Sequence, residues 1–140
     1  MRSIARFCFA LLAVTALWLL TLPSPAAAQA MNLPDGSFDS PAAFIVGSWK
    51  WERAEPRQTV LMRFDQGGGF FFHNRTTGLQ HLGSYTASAG GLHLNITRSC
   101  DDNGARCADR SPPMAVNYNF RPISAGVFMS ETERWERQGK

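Results

Sequence analysis

The sequence predicts an all-β domain, a small antiparallel up-and-down meander closing into a barrel, behind a cleaved signal peptide. Three observations predict it. An apolar run opens the chain and stops at small residues. From Trp49 onward apolar and polar residues alternate with a period of two in seven short runs. Brief turns rich in Gly, Asn, Asp and Pro join those runs.

The leader has its three parts in order: Arg2 and Arg6, then the apolar stretch from Phe7 to Leu20, then Leu22-Pro23-Ser24-Pro25 followed by Ala26-Ala27-Ala28. The stretch is short for a bilayer span, the prolines break any helix, and the alanines offer a cleavage site after Ala28. No stop-transfer flank follows, so a stable membrane anchor after cleavage is not expected. Cys8 lies inside the apolar run, which leaves no cysteine placed for lipid attachment. The expected organisation is therefore a signal peptide over residues 1–28, a flexible lead-in over 29–39 with a turn at Pro34-Asp35-Gly36, and a single domain over 40–140.

Cleavage alters the charge balance. The full chain carries 14 basic and 11 acidic residues, a net charge of +3. Arg2 and Arg6 leave with the leader, so 12 basic residues face 11 acidic ones and the net falls to +1. No basic stripe remains, which argues against nucleic acid as a partner. The leader also removes Cys8 and leaves two cysteines, Cys100 and Cys107, around the polar loop Asp101–Arg106. In an oxidising compartment such a pair forms a disulfide, with about 2.5 kcal/mol of stabilisation in the chain-entropy picture. A zinc or redox role for the pair lacks the clustered histidines it needs.

Ser40 and Pro41 suit the cap and first position of a short helical turn over residues 39–43. The first strand then sets Trp49 and Trp51 on one face and Lys50 and Glu52 on the other. Val60, Met62 and Phe64 share a face of the second, and Asp65-Gln66-Gly67-Gly68-Gly69 turns into the third, Phe70–Asn74. The fourth runs from Leu79 to Ala87. The fifth alternates Leu92, Leu94 and Ile96 with His93, Asn95 and Thr97. The cysteine loop and Ser111-Pro112-Pro113 interrupt the rhythm before a sixth strand carrying Met114, Val116, Tyr118 and Phe120. A seventh runs from Val127 to about Arg137. A two-sheet sandwich is the structural rival to a barrel.

Gly47-Ser48-Trp49 after a helical turn, the hairpin around Phe64-Asp65-Gln66-Gly67-Gly68-Gly69-Phe70, Gly83-Ser84-Tyr85, Gly91-Leu92-His93-Leu94, and a final strand with Arg134, Trp135 and Arg137 together resemble the small secreted bacterial lipocalin-like proteins of the calycin type. The resemblance covers residues 40–137. It implies a lipocalin-like barrel with a Gly-x-Trp element at one end and a basic residue of the last strand closing over it. Gly47 and Trp49 would then be structural anchors, with Arg134 or Arg137 on the tryptophan face as a cation–π partner. The chain is shorter than a full lipocalin and has no clear C-terminal helix.

Candidate chemistry is sparse. A three-residue turn at Thr76-Thr77-Gly78 would set His73 opposite His81, a pair able to hold a metal, but His93 falls near Tyr85 or Thr86 and no nearby carboxylate completes a set. No metal and no cofactor is expected. Asp101-Asp102-Asn103-Gly104 lacks the alternating ligands of a calcium loop. The serines form no nucleophile motif. Glu131, Glu133 and Glu136, interleaved with Arg134 and Arg137, read as a solvated charge-balanced edge. Asn74-Arg75-Thr76 and Asn95-Ile96-Thr97 match a glycosylation sequon, of consequence only in a host that glycosylates such sites. Trp49, Trp51, Phe64, Phe70, Phe72, Tyr85, Tyr118 and Phe120 all fall on inward faces, enough rings to fill a small barrel or to leave a shallow cup at one mouth. The expectation is a non-enzymatic exported binding protein, periplasmic or extracellular, holding a small apolar ligand on Trp51, Phe72, Tyr85 and Tyr118. The alternative is a protein–protein module such as a hydrolase inhibitor with Met31-Asn32-Leu33-Pro34 as a tail.

Overall fold

The computed structural model describes residues 31–33 and 36–139, with side chains from Phe38 onward. The expected leader and cleavage site, and the Pro34-Asp35 part of the expected turn, lie outside the described residues. Strands β1 (Met31–Leu33) and β2 (Gly36–Phe38) pair as a small hairpin, Met31 against Phe38. Ser40 ends this lead-in. Its hydroxyl accepts from Ala43 N at 3.1 Å, and Pro41 begins the five-residue helix α1 (Pro41–Ile45), as the cap chemistry predicts.

Eight antiparallel strands follow and close on themselves: β3 (Gly47–Arg53), β4 (Gln58–Phe64), β5 (Gly69–Asn74), β6 (Gln80–Ser88), β7 (Gly90–Asp101), β8 (Arg106–Ser124), β9 (Val127–Ser130) and β10 (Glu133–Arg137). Each pairs with its neighbour in sequence, and β10 returns to β3. The up-and-down barrel is thus observed, and the sandwich is not. The period-two reading holds: Trp49, Val60, Met62, Phe64, Phe70, Leu92, Leu94, Ile96 and Phe120 are all buried inside it. Gly83 is a glycine for want of room. A Cβ there would fall on the Asn95 carbonyl and the Phe70 ring, at the bulge where β6 passes β7.

Three sequence expectations need correction. The seventh strand is two. Glu131 takes a positive φ of 52° and turns the chain between Ser130 and Glu133, a turn with no Gly, Pro or Asn to announce it. The cysteine loop and Ser111-Pro112-Pro113 do not end the fifth and sixth strands. Pairing continues from Arg98↔Asp109 to Asp101↔Arg106, so the Cys100–Cys107 disulfide staples the tip of a long hairpin. The β5–β6 turn holds four residues, closed by Asn74 N–H on Leu79 O at 2.8 Å, which slips the register by one. Phe72 therefore faces His81, and His73 faces Gln80.

The wall is uneven. β8 is 19 residues long, but β9 pairs with it only between Arg121 and Ser124. The Glu131 side chain takes Asn119 N–H and Nδ2–H at 3.4 and 2.8 Å. From Tyr118 to Arg106 the edge of β8 away from β7 has no strand paired with it among the described residues. β10 likewise pairs with β3 only at Trp49 and Lys50.

Candidate functional site

The two ends of the barrel differ in chemistry. The closed end is made by Trp49, Phe44, Phe120 and Phe128, each 2% exposed or less. Trp49 meets Phe44 at 5.4 Å and Phe128 at 4.8 Å between ring centroids, and its indole N–H donates to Ile45 O at 2.7 Å. Arg137 lies over it, Cζ 4.2 Å from the ring centroid. The same guanidinium donates to Phe44 O, Val46 O and Ala125 O at 2.6, 2.7 and 2.9 Å. Burial lowers the Arg137 pKa, yet it stays charged far above neutrality. Gly47, at φ 132°, gives it room, since a Cβ there would stand 2.7 Å from Arg137 Nη1.

Of the two arginines that the resemblance left open, Arg137 is the partner of Trp49. Arg134 points to solvent and pairs with Glu136 at 3.0 Å. Tyr85 also belongs to this end. Its ring meets Phe64 at 4.9 Å and its hydroxyl donates to Asp65 O at 2.8 Å, across the β4–β5 turn. It is 9% exposed and stands apart from the other three ligand candidates.

Those three lie toward the opposite end. Trp51, Phe72 and Tyr118 are half-buried, together with Met114 and Val116, and all pack on the core from above. Trp51 stacks on Trp135 at 6.3 Å and 29°, and Trp135 on Phe128 at 5.8 Å and 3°, a column of rings from mouth to floor. Arg53 covers the outer face of Trp51 at 5.7 Å. Glu133, two residues before Trp135, takes the inward direction of its strand. The solvated edge expected for the three glutamates holds for Glu136 but not for Glu133, because the turn at Glu131 resets the alternation. Burial raises the Glu133 pKa, and Glu131 adds to this, while the Trp135 indole and Arg53 oppose it. The Trp135 N–H is buried and without a hydrogen-bond partner; it faces the Glu133 carboxylate without closing a bond. The Tyr118 hydroxyl is likewise raised, by burial and then by Glu133.

A testable consequence follows for Glu133. Its folded pKa lies above 4.5, so ionising it costs folding energy at neutral pH, and that cost vanishes below pH 4.5. Glu133→Gln should raise Tm at pH 7, with the gain shrinking as pH falls toward 4.5. Tm of both proteins across pH 4–8 checks this; an unchanged difference would place the carboxyl in open solvent.

The histidines separate. His73 Nε2 shares a hydrogen bond with Asn103 Oδ1 at 3.1 Å, where the hairpin tip folds back on the β5–β6 turn. His93 pairs with Asn117, and His81 stacks on Phe72 at 5.4 Å. Asp102 of the tip forms an ion pair with Arg106 at 2.8 Å. Sequence reading missed Met114 and Val116 as mouth residues, along with Ser99 and Arg110 beside His81. The alternation already marked the first two as inward, but the other two depend on pairing beyond the disulfide. No family model matches this chain, and neither curated proteins nor solved structures give a match.

Proposed function

We propose that this is an exported, non-enzymatic, lipocalin-like binding protein that takes a small apolar ligand at its open end. One observation carries the reading: the gradient of burial along the barrel. Rings at the floor are sealed, while Trp51, Phe72, Met114, Val116 and Tyr118 keep apolar surface in contact with water at the mouth. Leaving such surface wet forgoes about 25 cal/mol per Å² that a ligand recovers on covering it. The aromatic filling limits the ligand to a shallow seat above the Trp51–Trp135 stack. Native mass spectrometry of the processed protein purified from its own host tests this. A small molecule carried through purification supports it. A bare protein whose tryptophan fluorescence ignores apolar probes sinks it.

A second reading, a protein–protein module, draws on the edge of β8. An unpaired strand can add a strand from a partner. Pro112 and Pro113 carry no N–H donor, which restricts such pairing to residues 114–118. A protein retained in the same purification would favour this reading.

A further inference from the structure

Across β4 to β8 the pairing register places Met62, Phe72, His81, Ser99 and Ala108 in one row. Met62 is buried in the core, so the row is inward, and it climbs from the barrel interior onto the projecting β7–β8 hairpin. Arg110, two residues beyond Ala108, reaches back along the same face, and its Nε–H donates to Ser99 Oγ at 2.6 Å. Ser99 Oγ and His81 Nδ1 are 2.9 Å apart.

A guanidinium only donates, so Ser99 accepts from Arg110. The Ser99 hydroxyl and His81 Nδ1 share a second hydrogen bond, in which a neutral ring protonated on Nε2 accepts from the hydroxyl and one protonated on Nδ1 donates to it. Burial, and then Arg110, lower the His81 pKa against a smaller opposing effect of Asp101, which favours the neutral ring. The relay holds the guanidinium by one edge and offers donors to whatever approaches. Among the described residues no carboxylate lies within 4.0 Å of Arg110, in contrast to Arg98 with Asp109 and Arg106 with Asp102. Asp101 on the same hairpin acts on His81 against Arg110, the neighbouring Asp109 pairs with Arg98, and Glu133 is a carboxyl that burial disfavours as an anion.

We propose that Arg110, steadied by Ser99 and His81, binds the negatively charged oxygen headgroup of an amphiphile whose apolar chain lies in the mouth against Phe72, Met114 and Tyr118. This rests on the ligand-binding reading and adds the polar end of the ligand. A planar guanidinium suits carboxylate and phosphate oxygens alike.

The test titrates the processed full chain with four probes of one chain length, laurate, dodecyl phosphate, dodecanol and dodecylamine, below their micelle concentrations, read by tryptophan fluorescence. At least one of the anions should bind about tenfold or more tighter than dodecanol. Laurate ahead of dodecyl phosphate identifies a carboxylate ligand; the reverse identifies a phosphate headgroup. In Arg110→Met the advantage over dodecanol should disappear while dodecanol binding stays. Ser99→Ala should reduce the advantage with the charge still present. Both positions lie outside the sealed core, and circular dichroism checks that each variant is folded. Dodecanol or dodecylamine binding as tightly as both anions overturns the headgroup assignment and leaves the apolar mouth standing. No binding by any of the four removes the mouth reading, and the headgroup site with it.

Discussion

Trp49→Ala should cost about 3–5 kcal/mol of folding stability and lower Tm by more than about 10 °C. The ring is 0% exposed, and Phe44, Phe128 and Arg137 pack directly on it. Truncation therefore leaves a cavity at the end of the barrel where α1 is seated, and it strands the Ile45 carbonyl that the indole N–H satisfies. Urea unfolding of the two proteins measures the loss. A cost under about 1 kcal/mol would mean the floor closes without the indole, and Trp49 would then be no anchor.

Arg137→Met should cost about 3 kcal/mol, although methionine keeps much of the apolar contact. The guanidinium ties together three backbone carbonyls from two distant parts of the chain: Phe44 and Val46 before β3, and Ala125 before β9. It does so while stacked on Trp49. Arg137→Lys should recover little of the loss. A single ammonium on a flexible stem cannot span three acceptors and lie flat on a ring at once. A double-mutant cycle of Trp49 and Arg137 should show a coupling of about 0.5–2 kcal/mol; additive losses would mean the two side chains act separately.

The fold was legible because alternation survives where one face is dry. Leu92, Leu94 and Ile96, or Met62 and Phe64, announce a buried face with no knowledge of the partner strand. Turns were legible only where their chemistry is overt. The triple glycine after Gln66 marks a hairpin. Glu131, with its positive φ, carries no such mark, and two strands were read as one. The anchor was half legible. Trp49 and Gly47 stand out by type and spacing, but the choice between Arg134 and Arg137 depends on which face of a short strand meets α1.

The mouth was the least legible part. Glu133 turns inward only because Glu131 reverses the chain. Ser99 and Arg110 meet only because β7 and β8 keep pairing past Pro112 and Pro113. Tyr85 looks inward in the sequence like Tyr118, but Tyr85 is tied to Asp65 O across the β4–β5 turn at the sealed end, while Tyr118 stays half-buried within reach of Glu133. One-dimensional patterning gives the face of a residue; its height in the barrel comes from the register.

If the mouth takes a ligand as proposed, the mismatch between a 19-residue β8 and the four residues of β9 bears on its shape. The rim is cut away on one flank, like the spout of a jug. A guest lying on the Trp51 ring need not be swallowed whole, because its far end can run out over the low side beside β8. The width of the guest is then limited by the rings, while its length is left open.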